Sequence, residues 1–502
     1  MYRNRAGGPV TDERVARRAV LLGSLGALAT GALVSCGGTD RTAGAGRLIG
    51  PNSAEVRDAE RLRRTAGQRV VTHRITAQPA TVDLGGRTAR TWAYGETVPG
   101  PVLRTTAGDL LRVEVTNRLP AETSIHWHGV ALSNDMDGVP GITQDPIRAG
   151  RTFSYEFTTP DPGTYFFHPH SGVQLDRGLY GVLVVDDPAE PGGYDQEWVV
   201  VLDDWIDGTG QTPDDVLADL LSTSGMGQGG MMGESMRSPL LGGAGDVDYP
   251  AYLLNGRTPY APVTLTGRPG QRARIRIVNA GSDTAFRVAL AGHRLTVTHS
   301  DGFRVEPVTT DALLIGMGER YDVTVDLADG VSPLVASAEG KTGAALALVR
   351  TGGGAGPGGS TAIPELTRRV VLGSNLRAGP GVRLEDRAVD RRLDVVSAGG
   401  MMRYRWTING AAFPDGDPLV VVPGERLRLR LRNRSMMFHP MHLHGHTFGL
   451  VDGGARKDTI IVRPMESLEV DVEADNPGQW ALHCHNVYHA EAGMMTVLSY
   501  RT

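Results

Sequence analysis

Three segments of this 502-residue chain repeat one pattern: a glycine, an arginine four residues on, alternating apolar positions, and an asparagine nine residues after the glycine. The copies are Gly108, Arg112 and Asn117; Gly270, Arg274 and Asn279; and Gly424, Arg428 and Asn433. Alternation such as Leu111-Arg-Val-Glu-Val115 or Leu427-Arg-Leu-Arg-Leu-Arg432 belongs to a strand with one buried face. Three copies predict three related β-domains, and a chain of this length is too long for one ordinary core. The 67 glycines and 30 prolines suit an all-β chain with many turns.

The segments beyond the three copies differ. The first copy leads to His126-Trp127-His128-Gly129 and the third to His442-Leu443-His444-Gly445-His446, whereas the middle copy leads to Ala289-Leu290-Ala291-Gly292-His293. The middle domain is therefore expected to keep the strand and lack the ligands, acting as a spacer. His293 aligns with His446, so both read as structural, and His73 and His299 as ordinary surface or core residues. The expected boundaries are a leader over 1–36, a tether over 37–66 with a short charged helix from Ser53 to Ala66, and domains over 67–190, 191–355 and 356–502. The middle domain carries a Gly/Met-rich insertion over 222–246.

Ten of the fourteen histidines fall in four clusters: His126 and His128; His168 and His170; His439, His442 and His444; and His483, His485 and His489. The last surrounds Cys484 and is followed by Gly493-Met494. One thiolate, two imidazoles and a weak thioether form the ligand set of a blue copper electron-transfer site, and thiolate with imidazole favours copper over zinc. Neighbours on a strand point to opposite faces. Cys484 can thus hold one metal while His483 and His485 face a second centre.

These motifs, His126-Trp-His-Gly, His168-Pro-His, His439-Pro-Met-His-Leu-His and His483-Cys-His, resemble those of the multicopper oxidases over essentially the whole chain after the tether. The likeness is to the three-domain bacterial members, and within these to actinobacterial copper-resistance lipoproteins. It implies three cupredoxin-like Greek-key β-barrel or sandwich domains and four copper ions, one of type 1, one of type 2 and two of type 3. By the resemblance, His439, Cys484 and His489 hold the type 1 copper with Met494 axial, in preference to Met495. His126 and His442 hold type 2; His128, His168 and His485 hold one type 3 ion, and His170, His444 and His483 the other. The implied reaction couples four one-electron oxidations to reduction of O2 to water, with Cys484 passing electrons to its flanking histidines. Asp137 matches the family acid that serves proton delivery, with a turn aspartate before Gly138 as the alternative; a relay role for Glu491 is in doubt, because the family position is Ala490.

The formal net charge of −5 argues against a nucleic-acid partner. Arg17-Arg18 before the apolar run Ala19 to Val34 reads as an export signal of the twin-arginine kind. Leu33-Val34-Ser35-Cys36 resembles a lipoprotein box, which would anchor the protein through Cys36 on the periplasmic side of the membrane, in the cell envelope. With Cys36 in the leader and Cys484 at the metal, no disulfide is expected. Met226, Met231, Met232 and Met236 crowd a Gly-rich stretch, to whose thioethers Met401-Met402 of the third domain would add. Thioethers select Cu(I), although flexible gap-filling is the alternative reading. The expected donors are Cu(I), then Fe(II) and phenols, in copper tolerance. The rivals are a laccase acting mainly on phenols or aromatic amines, and a copper-sequestering protein without catalysis.

Overall fold

The computed structural model describes residues 46–190, 192–222, 237–356, 362–400 and 403–502. Arg17-Arg18, Cys36, Met226, Met231, Met232, Met236 and Met401-Met402 lie outside the described residues. Three cupredoxin-like β-domains succeed one another along the chain, each built of two facing sheets. In the first, Val70–Asp83 runs parallel to Leu110–Asn117, which is antiparallel to Thr152–Thr158. The same arrangement recurs as Gln196–Trp205, Arg272–Asn279 and Arg320–Asp326, and as Arg391–Gly399, Arg426–Asn433 and Ser467–Glu473.

The repeated asparagine ends the central strand each time, and its side chain makes the same three bonds. Its amide donates to Ala121 O and Ile147 O at Asn117, to Thr284 O and Ile315 O at Asn279, and to Met437 O and Val462 O at Asn433. Its oxygen accepts from the N–H two residues on, at Leu119, Gly281 and Ser435. The asparagine thus locks the turn that carries the chain from one sheet to the other. Past that turn come His126–His128, Phe286–Leu290 and His439–Leu443. Each domain has its own core, centred on Val113, Trp127 and Phe157, on Ile275, Phe286 and Val323, and on Leu429, Trp480 and Leu482.

The stretch expected as a tether is packed where it is described. Leu48 bridges Arg501, and the Ile49 N–H donates to Tyr500 O at 2.8 Å. Ser53 caps the helix Ala54–Arg63. Val56 is buried in the third core, and Glu60 accepts from the N–H and hydroxyl of Thr158 in the first domain. Two apolar residues, Ile49 and Val56, together with these polar contacts, dock a stretch whose overall composition is polar. No helix among the described residues is long and apolar enough to cross a membrane.

Candidate metal centres

Strand pairing assembles both sites. Gln479–Cys484 lies antiparallel to His439–Leu443, opposing Met441 to Cys484 and His442 to His483. Because side chains alternate, Cys484 points to one side with His439, and His483 and His485 to the other with His442 and His444. The Cys484 Sγ lies 3.6 Å from Nδ1 of His439 and 3.6 Å from Nδ1 of His489, and those two nitrogens are 3.1 Å apart. Asn486 caps the short helix Val487–Glu491 that carries His489 back to this position. Met494 is fully buried; its N–H donates to His489 O and its carbonyl accepts from Cys484 N–H.

The far nitrogens of both imidazoles are occupied. His439 Nε2 lies 2.8 Å from Ser435 Oγ, and His489 Nε2 lies 2.7 Å from Asp246 Oδ2. Burial alone would depress His489, but the Asp246 carboxylate reverses this and lifts it to about 10, while burial and the neighbouring His489 lower His439. Asp246 also accepts from the Tyr404 hydroxyl at 2.9 Å, and its N–H donates to Asp283. Asp283 is paired with the buried Lys341 at 2.6 Å and holds the Asn486 amide. Asp246 comes from the middle domain, which is therefore more than a spacer.

The other eight histidines meet between the first and third domains. His126 pairs with His168 across strands Gly163–His168 and His126–His128. The ligand nitrogens of His126, His442 and His444, of His126, His128 and His168, and of His170, His444 and His483 fall within 4.8 Å of one another. The His485 ring centroid is 4.8 Å from that of His128 and 5.2 Å from that of His168. The Asp137 carboxylate is fully buried, with Oδ1 3.1 Å from His126 Nδ1 and Oδ2 3.0 Å from His444 Nδ1. His442 Nδ1 faces Asp458 O and Thr459 Oγ1, each at 3.0 Å.

Two observations fit this pocket to metal. His128 Nδ1, His168 Nε2 and both nitrogens of His485 are buried with no hydrogen-bond partner, a state that costs about 1–3 kcal/mol per group unless something binds there. Burial, with neighbouring imidazoles adding, also holds His128, His168, His170, His444 and His485 well below the ordinary value, and lowers His483 to about 3. Their lone pairs are free at neutral pH, and imidazole with thiolate is a donor set for copper.

The remaining sequence candidates separate cleanly. His446 Nε2 bonds the Tyr500 hydroxyl at 2.6 Å, and His293 Nε2 accepts from Ala328 N–H. His299 sits beside Thr298, and His73 beside Arg104 O. Glu491 ends its helix in an exposed position. Nothing in the sequence marked Asp246, Ser435 or Asp458, because none belongs to a histidine motif.

Sequence models described as multicopper oxidase match residues 76–190, 196–354 and 389–502. The chain is 48% identical to multicopper oxidase MmcO of Mycobacterium tuberculosis, over 99% of this chain and 98% of that one. It is 30% identical to copper resistance protein A of Escherichia coli, over 84% and 91%. The crystal structure of a laccase from Botrytis aclada superposes with a TM-score of 0.71 at 26% identity, over 87% and 88%.

Proposed function

The chain belongs to the multicopper oxidase family, and from that premise we propose that it holds four coppers and oxidises Cu(I), and also Fe(II) and phenols, at the expense of O2 in copper tolerance. As an oxidoreductase of this family it uses copper. The proposed ligands are His439, Cys484 and His489 with axial Met494 for type 1, and His126 and His442 for type 2. His128, His168 and His485 would hold one type 3 ion, and His170, His444 and His483 the other. The observation that carries the reading is that Cys484 lies between two imidazoles at one site while the residues on either side of it, His483 and His485, line the other.

Bound copper would supply one-electron redox steps at the cysteine site and reduction of O2 by four electrons and four protons to two waters at the eight-histidine site. The residues provide the rest. The chain from Cys484 to its neighbours is a covalent route between the two sites. Asp137 orients one imidazole from each domain, as partners of ligand histidines generally do. Burial shields the cysteine site and, apart from the half-buried His170, the histidine site from solvent, and Asp246 places a carboxylate against His489 where a cationic donor could dock.

Exposed thioethers support a cuprous donor. Met436 and Met465 are 67% and 68% exposed, and Met437 Sδ lies against Gly243 in the hairpin that ends the Met-rich insertion. Met436 and Met437 stand just before His439. The insertion's Met226, Met231, Met232 and Met236 would deliver Cu(I) to this rim. The name of the Escherichia coli relative supports the tolerance role. The leader and Cys36 support export and lipid anchoring on the periplasmic side.

The test is O2 consumption by the copper-loaded protein with Cu(I), Fe(II) or a phenol, with and without residues 225–236. Cu(I) turnover that falls on deletion is the expected result. Phenol turnover dominating in both forms would make the protein a laccase, and binding without O2 uptake would make it a copper-sequestering protein.

A further inference from the structure

The two halves of the eight-histidine site are set against each other by an arm from the middle domain. Gly318, in the turn before Arg320–Asp326, and Arg320, its first residue, belong to no ligand motif. Gly318 has φ +82°, and a Cβ there would come within 2.8 Å of His485 Cδ2 and 2.9 Å of His128 Cε1. The backbone therefore lies directly on one imidazole from each side of the pocket, at a position that only glycine occupies without contact or strain.

Arg320 is wholly buried and touches all three domains. Its Nη1 and Nη2 each lie 2.6 Å from an Asp458 oxygen in the third domain, its Nε donates to Thr164 O in the first at 3.1 Å, and its Nη1 donates to Gly318 O at 3.1 Å. Asp458 in turn places Oδ1 3.2 Å from His128 Nε2 and its carbonyl 3.0 Å from His442 Nδ1. Gly129, directly after His128, packs on this pair: a Cβ there would meet Arg320 Nη2 at 2.4 Å and Asp458 Oδ2 at 2.5 Å. Behind it, Asp301 accepts from Arg320 N–H and from the N–H groups of Asp458 and Thr459, and Lys457 pairs with Asp301 and Glu319.

We propose that Gly318 and Arg320 are positioning residues of the oxygen-reducing site, holding His128, His442 and His485 in register across the boundary between the first and third domains. The inference rests on the proposed function of that site as a copper centre. A planar guanidinium gripping a carboxylate with both arms fixes direction as well as distance. Replacing such a buried pair by a well-packed apolar one is often neutral or stabilising, so its worth lies in the arrangement it specifies more than in stability. The arrangement here is that of three proposed ligands.

Gly318→Ala and Arg320→Lys, copper-loaded beside the unaltered protein, test this. The spectra separate the centres: the blue absorption reports Cys484, and the electron paramagnetic resonance of the lone copper with the near-ultraviolet absorption of the paired coppers reports the histidine site. We expect the blue absorption retained, the histidine-site signals displaced or lost, and O2 consumption lowered about 10–100-fold, the usual cost of removing a ligand's support. Arg426→Lys, a buried arginine paired with Glu473 in the third domain away from the ligands and from Arg320, should leave both sets of signals. Histidine-site signals unchanged in the first two variants would overturn the proposal, as would blue and histidine-site signals vanishing together, or an equal loss in Arg426→Lys. Absence of the histidine-site signals from the unaltered protein would instead overturn the copper reading.

Discussion

The two centres are built on opposite plans. The cysteine site draws His439, Cys484 and His489 from one domain, beside the core that holds Trp480 and Leu482, with Asp246 of the middle domain against His489. The eight-histidine site has no core of its own: four imidazoles come from each of two domains, and hydrogen bonds from Asp137 and Asp458 cross the boundary to meet them. A site inside one core inherits that core's rigidity. A site between cores depends on how well they dock.

The sharpest break in the comparison is Cys484→Ser. The blue absorption should disappear and turnover fall to background, while the histidine site still binds copper and the chain still folds, as absorption, copper content and circular dichroism would show. Retained blue colour would overturn the type 1 assignment.

Asp137→Asn should act in the opposite sense. The amide keeps one acceptor oxygen where the carboxylate offers one to His126 Nδ1 and one to His444 Nδ1, leaving its NH2 against one imidazole even though the backbone carbonyl at 3.0 Å still serves His126, so O2 consumption should drop about 10–100-fold with the blue absorption intact. Loss of the blue band in this variant would mean that the two sites are not separable.

A smaller effect is expected from pH on the copper-free protein. His128, His168, His170, His442, His444, His483 and His485 have folded values below the ordinary one, so the unfolded chain takes up protons there first on acidification. Their contribution is complete above about pH 6.5 and is lost as pH falls towards the value of about 3 held by His483. His489 runs the other way. Raised to about 10, its pairing with Asp246 is fully present below about 6.5 and is lost as pH rises through 10. Thermal melts of the copper-free protein across pH, with imidazole resonances tracked in parallel, should show His489 protonated in the range where those seven histidines are neutral. A His489 that titrates near 6.5 would remove the role given to Asp246.

Much of this was legible in the chain. The asparagine repeat declared three related β-domains because a strand-ending turn lock leaves the same residues at the same spacing wherever it is used. The histidine clusters and Cys484 declared two adjacent sets of donor side chains because alternation along a strand is a local property. The polar stretch before Val70 read as a tether, although Ile49 and Val56 dock its described part on the third core; composition averages over the few residues that matter.

Asp246, Arg320 and Asp458 carry no signal of this kind. Asp246 and Asp458 face imidazoles far away in sequence, and Arg320 meets Asp458 across 138 residues; a carboxylate or guanidinium declares its partner only when the chain has folded. The sequence by itself determined the strand pattern, the donor set and the separation of Cys484 from its neighbours' site, all of which derive from local periodicity. The tertiary structure alone decided which carboxylate faces which imidazole, and that the middle domain, which contributes none of the ten clustered histidines, reaches both sites. Those contacts span chain segments that nothing but packing brings together.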